Sequence, residues 1–177
     1  MKHLVIGMLV VSGMVGSSAL AHITLVYPAP RPGTVSPIGS PCGYNPDPGR
    51  STAQVLLPGS TVDVRWTEWI NHPGHFRISF DADGQDDFVD PLAYNSFYVA
   101  PSVLLDNIPD VAGATQYSAT IVLPNIECGN CTLQLMQVRY DVPPFTTGGN
   151  SDDIHRACAD LTLSLAAEFV FQNGFEG

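Results

Sequence analysis

Four of the five histidines stand where an imidazole nitrogen could be put to use: His22, His72, His75 and His155. His22 follows Ala19-Leu20-Ala21, and residues 1–21 read as a secretory signal peptide. Met1-Lys2-His3 gives the basic start, Leu4 to Val15 the apolar core, and Ala19 and Ala21 the small residues at −3 and −1 of the cut. Cleavage there leaves His22 with a free α-amine, whose reference pKa of about 7.7–8 lets a metal displace its proton near neutral pH. The amine nitrogen and imidazole Nδ1 then close one chelate ring on one ion. His72 and His75 lie in Asn71-His72-Pro73-Gly74-His75-Phe76, a connection between two β runs, where a rigid scaffold leaves side chains open to ligands. The phase that buries Phe76, Ile78 and Phe80 turns His75 to the opposite face with Arg77 and Ser79. His72 precedes that strand and is freer to converge on His22.

The cysteines, Cys42, Cys128, Cys131 and Cys158, all fall in the exported part, where disulfides form and persist. Four thiols allow three pairings. The two-residue gap favours a local Cys128–Cys131 clasp, which leaves Cys42 to tie the N-terminal loop to Cys158. A competing reading joins Cys128-Gly-Asn-Cys131 to His155-Arg-Ala-Cys158 as a zinc site, but it strands Cys42 as an odd thiol in an oxidising compartment. Thioredoxin-like redox chemistry is disfavoured, since a helix follows that motif whereas Thr132 to Val138 reads as a strand.

The elements that must position these groups are strands. His22 to Tyr27 opens as a short one, after which Pro28, Pro30, Pro32, Pro37, Pro41, Pro46 and Pro48 forbid regular ladders until about Ser51. Val62, Val64 and Trp66 alternate with Asp63, Arg65 and Thr67, and Phe76, Ile78 and Phe80 with Arg77 and Ser79, so each run has one buried face. Tyr117 to Leu123, Leu133 to Tyr140 and Leu161 to Leu165 continue the pattern, while 91–105 has room for a helical turn or two. The expectation is an all-β chain, an immunoglobulin/fibronectin III-like antiparallel β-sandwich with long loops. One domain spans 22–177, with a short tail from about 172. Asp81-Ala-Asp83-Gly84-Gln85-Asp86-Asp87 reads as an acidic turn, its glycine misplaced for an EF-hand.

With these residues in hand, the chain resembles the lytic polysaccharide monooxygenases and their secreted relatives. The resemblance rests on the order of four short motifs: a processed N-terminal histidine, His72-Pro-Gly74 after the strand Val62-Asp-Val-Arg-Trp66, Cys131-Thr-Leu-Gln-Leu135, and Cys158-Ala-Asp-Leu-Thr162. It implies one copper ion in a histidine brace, held by the amine and imidazole of His22 and one ring nitrogen of His72. It further implies an external electron donor, oxygen or peroxide, and a copper-oxyl species that takes hydrogen from a glycosidic carbon. One departure bears on activity. The family usually places tyrosine or phenylalanine three positions before the late cysteine, where this chain has His155. That imidazole is a candidate axial or neighbouring group to the copper. Three nitrogens with open tetragonal positions suit Cu(II).

The net charge of −10, one unit more negative once Lys2 is removed, argues against nucleic acid and anionic lipid as partners and allows a neutral polysaccharide. Rings for a glycan are sought at Tyr27, Tyr44, Trp69, Phe97 and Tyr98. Apart from the signal peptide no stretch is long and apolar enough to span a membrane, so the expected product is a secreted or periplasmic monomer. Three functions follow in order: copper-dependent oxidation of a polysaccharide, copper carriage by the same brace without turnover, and a sandwich without metal.

Overall fold

The computed structural model describes residues 23–32, 39, 41–43, 49–141, 143–147 and 153–167. Among the described residues eight strands carry the fold: β1 (Ile23–Tyr27), β2 (Gln54–Leu56), β3 (Thr61–Glu68), β4 (Gly74–Asp81), β5 (Val103–Pro109), β6 (Gln116–Val122), β7 (Cys128–Arg139) and β8 (Ile154–Leu163). They form two sheets, one of order β1-β3-β6 and one of order β2-β8-β7-β4-β5. The chain is thus an all-β sandwich. Pairing is antiparallel except at one edge, where the three-residue β2 runs parallel to β8.

The alternation read from β3 is what the sheet uses. Val62, Val64 and Trp66 are buried while Thr61, Asp63 and Arg65 face solvent. Between the sheets these residues meet Ile23 and Leu25 of β1, Phe76, Ile78 and Phe80 of β4, Leu133 and Leu135 of β7, and Ala157, Ala159 and Leu161 of β8. Trp66 stacks on Tyr117 at 5.5 Å and meets the edge of Phe76 at 5.1 Å, so three rings fill the middle of the core.

β4 departs from the one-sided reading, because its second face is buried as well. The reason is a polar layer beneath the long loops, in which each buried charge has a partner, as a dry site demands. Arg77 donates to Asp106 and to the carbonyls of Val89 and Ser96. Arg156 pairs with Asp90 at 2.7 Å. Arg31, from the proline-rich segment, makes a two-pronged contact with Asp160, which also accepts from Ser51. The Cys42–Cys158 disulfide fixes the same segment to β8 across 116 residues, and a second disulfide joins Cys128 to Cys131 at the start of β7.

Two boundaries also differ from expectation. Residues 103–109 form β5 rather than the end of a helical turn; Asn107 at φ 54° and two register breaks against β4 make this edge strand irregular, which hides its period of two. β8 begins at Ile154, well ahead of Leu161, so His155 lies in a strand and not in a loop. The acidic turn after β4 is closed by Asp81, whose carboxylate accepts from the backbone N–H of Asp83, Gly84 and Asp87.

Candidate metal centre

The antiparallel registers gather one set of strand ends. Ile23 opens β1 opposite Glu68, the last residue of β3. Gly74 opens β4 opposite Arg139, the last residue of β7, and Gln137 lies opposite His155 near the start of β8. The β3–β4 connection, 69–73, therefore hangs over the same end of the sandwich and carries His72 there.

His72 is held at two points. Its backbone N–H donates to Glu68 Oε1 at 3.2 Å, and its ring Nδ1 bonds Asp141 Oδ2 at 2.9 Å. A carboxylate on Nδ1 sets the tautomer and leaves Nε2 as the nitrogen through which a metal would be ligated. Arg139 donates to the same Asp141 oxygen at 2.7 Å and reaches His155 Nε2 at 2.9 Å. Since a guanidinium can only donate, His155 Nε2 is the acceptor and the ring proton resides on Nδ1. The His72 and His155 rings lie 6.3 Å apart, inclined by 29°. The Arg139 guanidinium bonded to Asp141 holds that carboxyl below the usual range; burial opposes the shift, and the His72 bond adds to it.

Beside this group sits a second polar cluster. Gln137 Nε2 donates to Glu68 Oε1 and Asp110 Oδ2, while Tyr117 Oη bonds Glu68 Oε2 at 3.1 Å and Asp110 Oδ1 at 2.9 Å. Burial raises Asp110, and the adjacent Glu68 raises it further, against the bonds from Gln137 and Tyr117. Asn71 joins both carboxylates through its amide. The backbone of the His72 loop is thereby anchored to the strand ends on either side.

Gly74 explains the glycine two residues after His72. A Cβ at that position would run into the Val138 carbonyl oxygen of β7, so only a residue without a side chain lets β4 approach β7 this closely.

The other expected residues are distributed as follows. His22 and Tyr44 lie outside the described residues. His75 faces away from the core, 2 % exposed, with ring edges against Tyr94 and Phe97 and Asp106 at 3.9 Å. Burial lowers its pKa, with Asp106 opposing and Arg77 adding to the effect. It belongs to the polar layer under the loops. Tyr27 is at the far end of β1, where Arg65 lies over its ring, so it is remote from the centre. Tyr98 is tied to Asp106 through its backbone N–H and its hydroxyl. Trp69 does stand at the His72 end, half-exposed, its indole N–H donating to Thr24.

Glu68, Gln137, Arg139 and Asp141 went unread in the sequence, although a signal existed for two of them. In β7, Gln137 and Arg139 follow the phase of Leu133 and Leu135, which face the core. Polar residues on an apolar phase at a strand end mark a site.

No family model and no curated protein matches the chain. Among solved structures its fold is similar to an AA15 lytic polysaccharide monooxygenase from Thermobia domestica in the Cu(I) state, at 22 % identity and TM-score 0.38 over 62 % of this chain and 61 % of that one. It is also similar to an AA10 lytic polysaccharide monooxygenase from Streptomyces lividans, at 14 % identity and TM-score 0.39 over 64 % of this chain and 60 % of that one. A third is the cellulose-active CelS2 in complex with copper, at 19 % identity and TM-score 0.37, covering 63 % of this chain and 53 % of that one. The matched part thus spans less than two thirds of each of these chains. Among the described residues no helix is long and apolar enough to cross a membrane.

Proposed function

We propose that the chain is exported, cut before His22, and acts as a mononuclear copper protein that oxidises a polysaccharide. The ligands in this reading are the His22 amine and imidazole together with His72 Nε2. The observation that carries it is the placing of Ile23, the first described residue. Ile23 is fully buried and pairs with Glu68, and Glu68 binds the N–H of His72. Ile23 therefore opens β1 at the strand end from which the His72 loop departs, and Glu68 ties the two together. The donor set fits copper, since nitrogen ligands favour it over the other divalent first-row metals.

When bound, copper would accept one electron from an external donor and so activate oxygen or peroxide for cleavage of a glycosidic bond. The chain's own residues prepare that centre. Asp141 orients His72 and fixes its tautomer. Arg139 holds both Asp141 and His155 and engages His155 Nε2, so a metal held at His72 would have in His155 a neighbour whose Nε2 is already taken. This favours a neighbouring role over axial ligation.

The sequence offers a selective test. Lys2 is the only lysine, so the α-amine of a chain starting at His22 is its only primary amine. Acylating that amine should weaken copper binding by orders of magnitude and alter the electron spin resonance spectrum, with His72 untouched. Mass spectrometry of exported protein that begins at another residue, or an unchanged spectrum after acylation, overturns the brace. Release of oxidised oligosaccharides from chitin, cellulose or xylan separates catalysis from carriage.

A further inference from the structure

Among the described residues, five large apolar side chains stand exposed on one short stretch of the β4–β5 connection: Val89, Leu92, Phe97, Tyr98 and Val99. Leu92 is 85 % exposed and Tyr98 57 %. The stretch is no loose excursion, because its backbone is fastened to the outer face of the β4–β7–β8 sheet. The buried Arg77 of β4 donates to the carbonyls of Val89 and Ser96, the buried Arg156 of β8 pairs with Asp90, and the Tyr98 N–H donates to Asp106. The ring of the buried His75 meets Phe97 from beneath at 5.1 Å. Tyr98 is held at φ 49°, in the left-handed region that residues with a side chain seldom enter, and its hydroxyl accepts from the Asp106 N–H. Polar backbone groups are thus turned inward and apolar side chains outward, the reverse of what water as the only neighbour favours. Exposed apolar residues standing singly need no explanation; a group of them on a fixed frame marks a contact surface.

We propose that this platform docks a cationic polypeptide segment with apolar side chains, carried by a partner protein. The proposal stands apart from the metal reading and does not rely on it. Charge chooses the occupant. Between Arg77 and Arg139 the chain has eight carboxylate side chains and no Lys, Arg or His. Three of those carboxylates, on Asp83, Asp86 and Asp87, are exposed in the turn that leads into the platform. The two arginines beneath it are fully buried and engaged by Asp106 and Asp90. The surface therefore presents apolar side chains beside negative charge, with no basic side chain among them. That pattern fits Lys or Arg interleaved with aliphatic or aromatic residues: the carboxylates steer the approach and select the partner, and the apolar contacts hold it. A second copy of this chain lacks the complement, since its net charge is −10 and Arg31, Arg50, Arg77, Arg139 and Arg156 are paired with aspartates. Anionic lipid is repelled by the same carboxylates.

The experiment is a fluorescence-anisotropy titration of the mature protein against a labelled amphipathic peptide of leucine and lysine, with oligolysine of the same charge as the purely electrostatic probe. The amphipathic peptide binds roughly tenfold more tightly than oligolysine, and its binding weakens as salt rises. Leu92→Ser, at a position too exposed to support the fold, lowers its affinity roughly tenfold at parental Tm. Tyr98→Asn, which tolerates the left-handed backbone but lacks the ring, does the same. Asp86→Asn combined with Asp87→Asn weakens binding and flattens its salt dependence, whereas Val122→Ser, a comparably exposed residue on β6, leaves it unchanged. Parental affinity in Leu92→Ser and Tyr98→Asn, or equal binding of oligolysine and the amphipathic peptide, overturns the proposal. Binding to phosphatidylcholine vesicles, or a concentration-dependent dimer in sedimentation, that Leu92→Ser abolishes also overturns it, since either gives the platform a different occupant.

Discussion

Replacing Gly74 by alanine perturbs the centre without touching any of its side chains. The added methyl meets the Val138 carbonyl oxygen, a backbone atom with no rotamer to yield. Relief to an ordinary van der Waals separation takes a strand shift of roughly 1 Å. Overpacking of this kind costs about 1–3 kcal/mol, which for a domain of this size lowers Tm by roughly 2–4 °C per kcal/mol. The shift opens the β4–β7 ladder where Gly74 faces Arg139, and Arg139 is the residue that holds Asp141 and His155. Two readouts should move together: the melting temperature, and hydrogen-exchange protection of the Tyr140 N–H that donates to Pro73. Copper affinity, titrated against a chelator, falls with them. Gly129→Ala is the control, since nothing lies within 4 Å of its added Cβ. A Gly74→Ala protein with parental Tm and protection refutes the close approach of β4 to β7; loss of stability with full copper affinity refutes its link to the centre.

Asp141→Ala removes the acceptor on His72 Nδ1 and, by the usual cost of such outer partners, weakens copper binding about 10–100-fold; chelator competition measures it, and unchanged affinity contradicts the orienting role. His155→Phe frees the Arg139 Nη1 bond and should change the spin resonance parameters while His72 continues to bind; an identical spectrum places His155 away from the ion. Asp160 is pushed up by burial but drawn below the normal range overall by Arg31, the Ser51 N–H and Arg50. Its depressed folded pKa means that the stabilisation is complete above the unfolded value of about 3.9 and is lost as pH falls through the folded value. Asp160→Asn therefore costs stability at pH 7, about 3–5 kcal/mol for a broken buried pair, and the gap to the parent in urea melts narrows as pH falls below the unfolded value. A gap that is constant with pH contradicts the ion pair.

How much was readable in the residues depended on whether local pattern or long-range closure decided the structure. β3 is legible because its three inward residues and three outward ones alternate without exception. β5 was not, because an edge strand with Asn107 in a left-handed conformation and a terminal proline carries the composition of a turn. The second buried face of β4 could not be foreseen from alternation, since Arg77 reads as solvent-facing until Asp106 and two loop carbonyls arrive from 12 to 29 residues away. At the candidate centre, His72 came from its loop position and His155 from the family resemblance, and the structure brings their rings within 6.3 Å. The groups that hold them, Glu68 at the end of β3 and Arg139 and Asp141 at the end of β7, come from two different sheets, and only long-range closure makes them neighbours.

The sheet order leaves one strand margin open to company. β1 is blunted by a register shift before Tyr27 and by the proline that follows, β2 is three residues long, and β5 is irregular. β6 has none of these defences: it pairs evenly with β3 over seven residues, and among the described residues no strand pairs with its other edge. Natural edges are often guarded by lysine, which a chain cut at Ala21 lacks entirely. Self-association by strand addition should therefore begin at β6, and a charged residue at Ser118 or Thr120, both exposed, is the place to suppress it when the protein is concentrated.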